Sequence, residues 1–322
     1  MKRLLKITLD KPELAGIALL LVLIILFQIR SNGVLLNYEN LRGVLGLLPE
    51  VALVAIGVTI LMIAGEFDIS VGSVFALAPM VMAVSMVGGI PFLPAVLLGL
   101  LAAAAIGFLN GFITLRFAIP SFITTLGTLF IARSITVVIS GGFPPLLPAD
   151  IPNWIFTLFV GPIRLSMFWF LGIAIILGII LSFSNFGNWI KATGGQIDAA
   201  NAMGIPTGFV KMSCFVLCSV LAGFAGIIQV LRLGSPLPSL GEGLELQAVA
   251  AAVIGGTSLF GGVGTVLGAI VGALLIRVID NGLVLSRVDA NWFKFAIGAL
   301  LILAVIGNAW LRRTSRRIKV ET

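Results

Sequence analysis

Residues 192–208 read ATGGQIDAANAMGIPTG, a polar island rich in Gly and Ala within a chain that is 59% hydrophobic. The apolar runs Leu165–Phe183 and Phe209–Leu231 flank it. Each is long enough to cross a bilayer, which takes about 17–25 apolar residues. A connection between two spans needs only a few turn residues. A compact surface of short side chains suits close docking by another protein.

Outward from the island, the rest of the chain has the same character. Its 322 residues carry 10% charged side chains, against roughly 25% in an ordinary soluble domain, and their mean hydropathy is +1.19. Lipid is therefore the solvent for most of the chain. The net charge of +7 is weighted to the two ends, with Lys2, Arg3, Lys6 and Lys11 at one and Arg312, Arg313, Arg316, Arg317 and Lys319 at the other. That pattern is a topology signal rather than a nucleic-acid surface. MKRLLK before an apolar run has the form of a signal peptide, but Leu14–Ile29 is long, lacks a small-residue cleavage site and precedes many more spans. Cys214 and Cys218 share a helix face and read as packing residues; two cysteines build no disulfide framework.

The hydrophobic segments are Leu14–Ile29, Val44–Ala64, Val71–Val87, Phe92–Leu115, Ser121–Ile139, Leu165–Phe183, Phe209–Leu231, Leu246–Phe260, Val263–Ile279 and Phe293–Leu311. They predict an all-α polytopic membrane protein of about ten transmembrane helices, one transmembrane domain over residues 1–322 with no soluble domain. Gly255, Gly256, Gly261, Gly262 and Gly264 interrupt Leu246–Ile279, which reads either as two short helices or as one re-entrant feature. An even number of spans puts both basic ends on one side, the cytoplasm by the positive-inside rule, and the island with them. The Pro- and Gly-rich stretch Ser140–Arg164 then becomes the longest external connection, a rigid loop or short interfacial helix. Trp154 and Trp169 beside it are either interface anchors or bundle-packing residues. Gly99, Ala103, Gly107 and Gly111, and again Gly264, Gly268 and Gly272, recur four apart. These small-residue ridges favour close helix contact within one chain over a dimer interface.

The chemistry absent from the sequence narrows the function. It contains no G-x-x-x-x-G-K-[ST] loop and no histidine, so neither an ATP site nor the commonest metal ligand and proton shuttle is available. No cofactor, metal site or catalytic residue is expected. Glu50, Glu66 and Asp68 map near span ends, whereas ion-coupled carriers keep acids at mid-membrane. Energy must then come from a partner. Scarce charge also suits a neutral, hydroxyl-rich cargo. Asn110, Thr114, Ser121, Thr124, Thr125 and Thr128 offer polar groups for its path, although Ser and Thr also bond their own helix carbonyls.

Gly65–Gly72, GEFDISVG, resembles the signature of permease subunits from bacterial sugar ABC importers of the ribose type. The resemblance continues in order through Leu109–Gly111, Ile119–Gly127 (IPSFITTLG), the island, Leu221–Gly226 (LAGFAG), Gly241–Gly268 (GEGLELQAVAAAVIGGTSLFGGVGTVLG) and Asp280–Leu283 (DNGL). Gln196 stands where similar proteins usually have Asn, and Gln247 where they often have Asp.

The resemblance implies a type II importer fold, with the second to fifth and seventh to tenth spans forming an inverted repeat. It also implies a bacterial inner-membrane location. The implied partners are a second permease subunit, cytoplasmic ATPase subunits and a periplasmic solute-binding protein. The island becomes a coupling helix for the ATPase, involving Gly194, Gly195, Gln196, Asp198, Ala199, Ala200, Asn201 and Gly204. Gln196–Met203 can form about two turns. Asp198 near the start suits the macrodipole, and Gly204 and Pro206 end the helix. Glu66 and Asp68 fix the turn and cap the third span, with Ser70 as an alternative cap; a direct gating role is the other option. Arg42, Arg164, Arg232, Arg287, Glu242 and Glu245 are expected on the outer face to dock the binding protein. The rival functions are a permease for branched-chain amino acids or nucleosides, and an ion-coupled secondary transporter.

Overall fold

The computed structural model describes residues 13–148, 151–152, 154–161, 163–289 and 291–320, so the amino-terminal basic cluster Lys2–Lys11 lies outside the described residues. Within them the chain forms α1 (Glu13–Arg30), α2 (Tyr38–Ile63), α3 (Val71–Val87), α4 (Phe92–Phe117) and α5 (Ser121–Ile139). A one-turn helix α6 (Trp154–Thr157) and a short antiparallel hairpin, β1 (Phe159–Val160) with β2 (Ile163–Arg164), follow in the long connection. Then come α7 (Leu165–Phe183), α8 (Asn185–Gly195), α9 (Ile197–Ala202), α10 (Thr207–Leu233), α11 (Leu244–Ile254), α12 (Val266–Leu285) and α13 (Trp292–Val320). Each of the ten hydrophobic segments contains a helix. Among the described residues seven helices are long and apolar enough to cross a membrane, while α3, α11 and the apolar part of α13 are shorter.

Burial sorts the helices into a centre and a periphery. In α2, 89% of the apolar window is buried, against 17% in α1 and 28% in each of α4, α5 and α7. Residues Leu48 through Ile63 of α2 are buried without interruption. A helix apolar all round and covered all round is a core helix; α10 packs on α2 and also on α3 and α4, while α12 packs on α1, α2 and α11. Lipid gives apolar surfaces no drive to associate, so close van der Waals approach of the backbones holds such a bundle together. The glycine ridges supply that approach within the chain. A Cβ on Gly99 would press on Ala78 O of α3, one on Gly107 on Phe215 O of α10, and one on Gly272 would collide with Ala251 O of α11. Cys214 and Cys218 are buried free thiols in α10.

Two segments depart from a simple serpentine. The expected span Leu246–Phe260 is the 11-residue helix α11, about 16 Å long where about 30 Å of hydrocarbon must be crossed. Gly255 and Gly256 stop it, and irregular chain leads to α12, so two helices rather than one re-entrant element occupy Leu246–Ile279. The stretch 65–70 between α2 and α3 is likewise irregular and runs into the bundle. Asp68 is fully buried and meets Ser219, which lies twelve residues past Thr207, about 18 Å along α10. Asp68 therefore does not lie at a rim, as its place beside a span end suggested: an extended residue covers about 3.3 Å against 1.5 Å in a helix, so six of them reach far.

Candidate functional site

The irregular stretch 234–243 before α11 meets the first turn of α3, directly after the linker 65–70. A Cβ on Gly241 would collide with Gly72 O, and one on Gly72 would press on Gly241 O. Gly241 also needs its backbone freedom, with φ at +73°. Arg133 of α5 ties the meeting point together, donating to Leu240 O at 2.8 Å, Gly72 O at 3.3 Å and Pro238 O. Uncovered backbone at such depth is costly, and this contact covers it.

The linker 65–70 is held by polar side chains of three helices. Asp68 Oδ1 accepts from Ser70 N at 2.7 Å and Ser70 Oγ at 2.6 Å; Oδ2 accepts from Asn110 Nδ2 at 3.2 Å and Ser219 Oγ at 3.4 Å. Asn110 Nδ2 also donates to Ser70 Oγ at 2.9 Å, and Asn110 Oδ1 accepts from Thr128 Oγ1 at 2.7 Å. Ser121 Oγ accepts from Phe67 N at 3.1 Å, and Thr125 Oγ1 from Ile69 N at 3.2 Å. Among the described residues no Lys or Arg pairs with Asp68; hydrogen-bond donors alone compensate it. Asp68 thus ties the turn through Ser70 N and Oγ. The expected caps are corrected: Ser70 occupies the N-cap of α3 with no side-chain cap bond; its hydroxyl donates to Asp68 and its oxygen accepts from Asn110 Nδ2 instead.

The residues expected to line a path thus divide. Asn110, Ser121, Thr125 and Thr128 hold the linker, while Thr114 and Thr124 are buried with unpartnered hydroxyls. Ser121, Thr125 and Thr128 lie at i, i+4 and i+7 on one face of α5, the only signal for this role that the sequence carried.

At the end of the bundle where α2 stops, the island is built in two parts. Ala192 to Gly195 finish α8, and a Cβ on Gly194 would collide with Ile63 O of α2. The backbone folds tightly here: Gly262 N donates to Ile63 O at 2.8 Å, and Gly261 and Gly262, both at positive φ, press on Gly194 and Gly195. Past Gln196, α9 spans six residues, shorter than the two turns expected, and Gly204 follows it at φ +77°. Gln196, Ile197, Asp198, Ala199, Asn201, Ala202, Met203 and Gly204 are exposed, whereas Ala200 is buried. A cleft of about 290 Å³ runs between Gly194–Asp198, Gly65, Lys211 and Phe260. In it Lys211 Nζ reaches Glu66 Oε1 at 2.6 Å, with both side chains largely shielded. Sequence reasoning missed Lys211 and Arg133 because their partners lie 145 and 61 to 107 residues away.

The expected docking residues lie towards the other end. Arg42 and Arg164 stack on the Phe159 ring, 3.9 and 4.7 Å from its centroid. Arg232 is committed to Glu50 within the bundle, at 2.8 and 3.1 Å. Burial first, and then the neighbouring Arg232 charge, pull the Arg164 guanidinium below its ordinary pKa. Arg287 and Glu242 are exposed, and Glu245 accepts from Gly243 N. Trp169 Nε1 donates to Ile155 O at 3.2 Å, so this tryptophan packs on α6 while Trp154 stays exposed.

Sequence comparison fits this architecture. The family model described as branched-chain amino acid transport system / permease component matches residues 40–305. The chain belongs to this permease family. A permease subunit of a transport system, and not an enzyme, it is a multi-pass membrane protein. It is 35% identical to the autoinducer 2 import system permease protein LsrC of Photorhabdus luminescens over 276 residues, 84% of this chain and 81% of that one. It is 34% identical to the protein of the same name from Yersinia enterocolitica over 284 residues, 86% and 78% of the two chains. The Photorhabdus laumondii protein is 36% identical over 267 residues, 81% and 78%. No solved structure matches the chain.

Proposed function

We propose that this permease carries a neutral, sugar-like solute through the bacterial inner membrane in an ATP-driven importer. A second permease subunit completes the path, ATPase subunits dock on the island, and a periplasmic solute-binding protein delivers the cargo. The observation that carries the reading is identity of 34–36% with autoinducer 2 import permeases over more than four-fifths of the chain. The family description names branched-chain amino acids instead. Uptake of labelled sugars and polyols, competed by leucine, separates the two: competition by leucine overturns the sugar-like cargo.

Counting α3 with the linker 65–70, and α11 with the irregular chain beside it, as one crossing each gives ten crossings, and the positive-inside rule then puts both termini and the island in the cytoplasm. The inverted repeat is supported by the way 65–70 with α3 and 234–243 with α11 enter the bundle and meet at Gly72 and Gly241. Arg42, Arg164, Arg287 and Glu242 offer the periplasmic charges for the binding protein. Arg232 contributes less, since Glu50 already neutralises it.

The island couples the ATPase to the bundle through its exposed short side chains. Ala199 is exposed and Ala200 is buried, so Ala199→Arg probes docking without disturbing the core. It should abolish uptake while the permease inserts at its normal level. Normal uptake in this variant, with the ATPase still co-purifying, would remove the island from the coupling path.

A further inference from the structure

The cleft beneath the island contains an ion pair that joins the two polar segments of the chain. Lys211 sits four residues past Thr207, where α10 leaves the island, and its Nζ lies 2.6 Å from Glu66 Oε1 in the linker. The two side chains are only 13% and 12% exposed, so water screens them poorly. Two residues further along the linker, Asp68 is bonded to Asn110 of α4 and Ser219 of α10, and Ile69 to Thr125 of α5. A displacement of the first turns of α10 thus reaches the linker through this polar contact, beside the direct packing of α10 on α4, and passes from the linker to α5 through Ile69 and Thr125.

We propose that Lys211 is a positioning residue for transport: its ion pair with Glu66 is the strut that carries island movement into the linker 65–70. The strut matters because the other contacts of the island at this junction, Gly194 on Ile63 O and on Gly65, are backbone packing alone. Compression can pass through such a packed backbone contact, but tension cannot. An ion pair resists separation, so it can draw the linker back when the ATPase reopens.

The proposal rests on the island being the ATPase contact. The complete importer, reconstituted in vesicles with its ATPase and binding protein, allows the two to fail separately. Lys211→Glu should lower uptake per complex about tenfold, a size set by typical coupling between charges in contact. ATPase subunits should still co-purify, and ATP hydrolysed per solute carried should rise. Glu66→Lys should behave alike, and the double variant K211E/E66K should regain most of the uptake and the lower ATP ratio. A merely structural role would change the amount of complex and leave that ratio unmoved. Wild-type uptake in Lys211→Glu, or a double variant no better than either single, overturns the strut. Loss of ATPase co-purification in Lys211→Glu also overturns it, because Lys211 would then belong to the docking surface. Full ATPase docking and uptake in Ala199→Arg would instead overturn the island reading, whatever Lys211 does.

Discussion

The linker 65–70 and the island 192–208 are the two polar interruptions of an apolar chain, and the bundle treats them in opposite ways. Asp68 and Ser70 are buried and bonded to side chains from helices far along the sequence. Asp198, Ala199 and Asn201 stay exposed, and the Asn201 side chain accepts from Thr207 Oγ1 a few residues on. The difference teaches where polar groups are satisfied. In the linker they are satisfied internally, so removing one leaves an orphan in the core. On the exposed part of the island, Gln196 to Ala199 and Asn201 to Gly204, they are left to water or to a partner, so a change there should leave the fold intact.

That contrast can be broken by measurement. Asp68→Ala strips the acceptor from Ser70, Asn110 and Ser219 together and should destabilise the permease by about 3 kcal/mol or more. Its level in the membrane and its apparent Tm in detergent would both fall, and an unchanged Tm would show that the knot holds nothing. Thr125→Val orphans only the Ile69 N–H and should cost about 1–3 kcal/mol by the same assay. Its neighbour in sequence, Thr124→Val, removes a buried hydroxyl without a partner and should change stability by no more than about 0.5 kcal/mol, or raise it. Met203→Ser on the island, at a side chain 82% exposed, should also leave stability within about 0.5 kcal/mol of wild type. A large loss there would mean that the island is part of the core after all.

Much of the fold was legible because hydrophobic length and glycine punctuation are local. Each apolar run contains a helix, and the Gly99–Gly111 ridge packs inside the chain as its spacing suggested. The truncation of α11 was legible in part, since Gly255 and Gly256 announced a break but not how early it would come. The candidate site was less legible. Helical periodicity puts Ser121, Thr125 and Thr128 on one face of α5 but is silent on what that face meets. Asp68 itself reads as lying near a span end, which does not foretell its burial among side-chain donors. Lys211 and Arg133 had no comparable clue, because one ordinary cation looks like another until the tertiary fold supplies its partner.

The wiring of Asp68 also sets an order of events at the ribosome. Its nearest donor, Ser70, is made almost at once, Asn110 follows 42 residues after Asp68, and Ser219 follows 151 residues after it. At typical rates of synthesis the last donor emerges roughly 8–30 s after the carboxylate does. Through that interval the half-built bundle holds an incompletely matched acid. The Asp68 site is therefore complete only once α10 has been made.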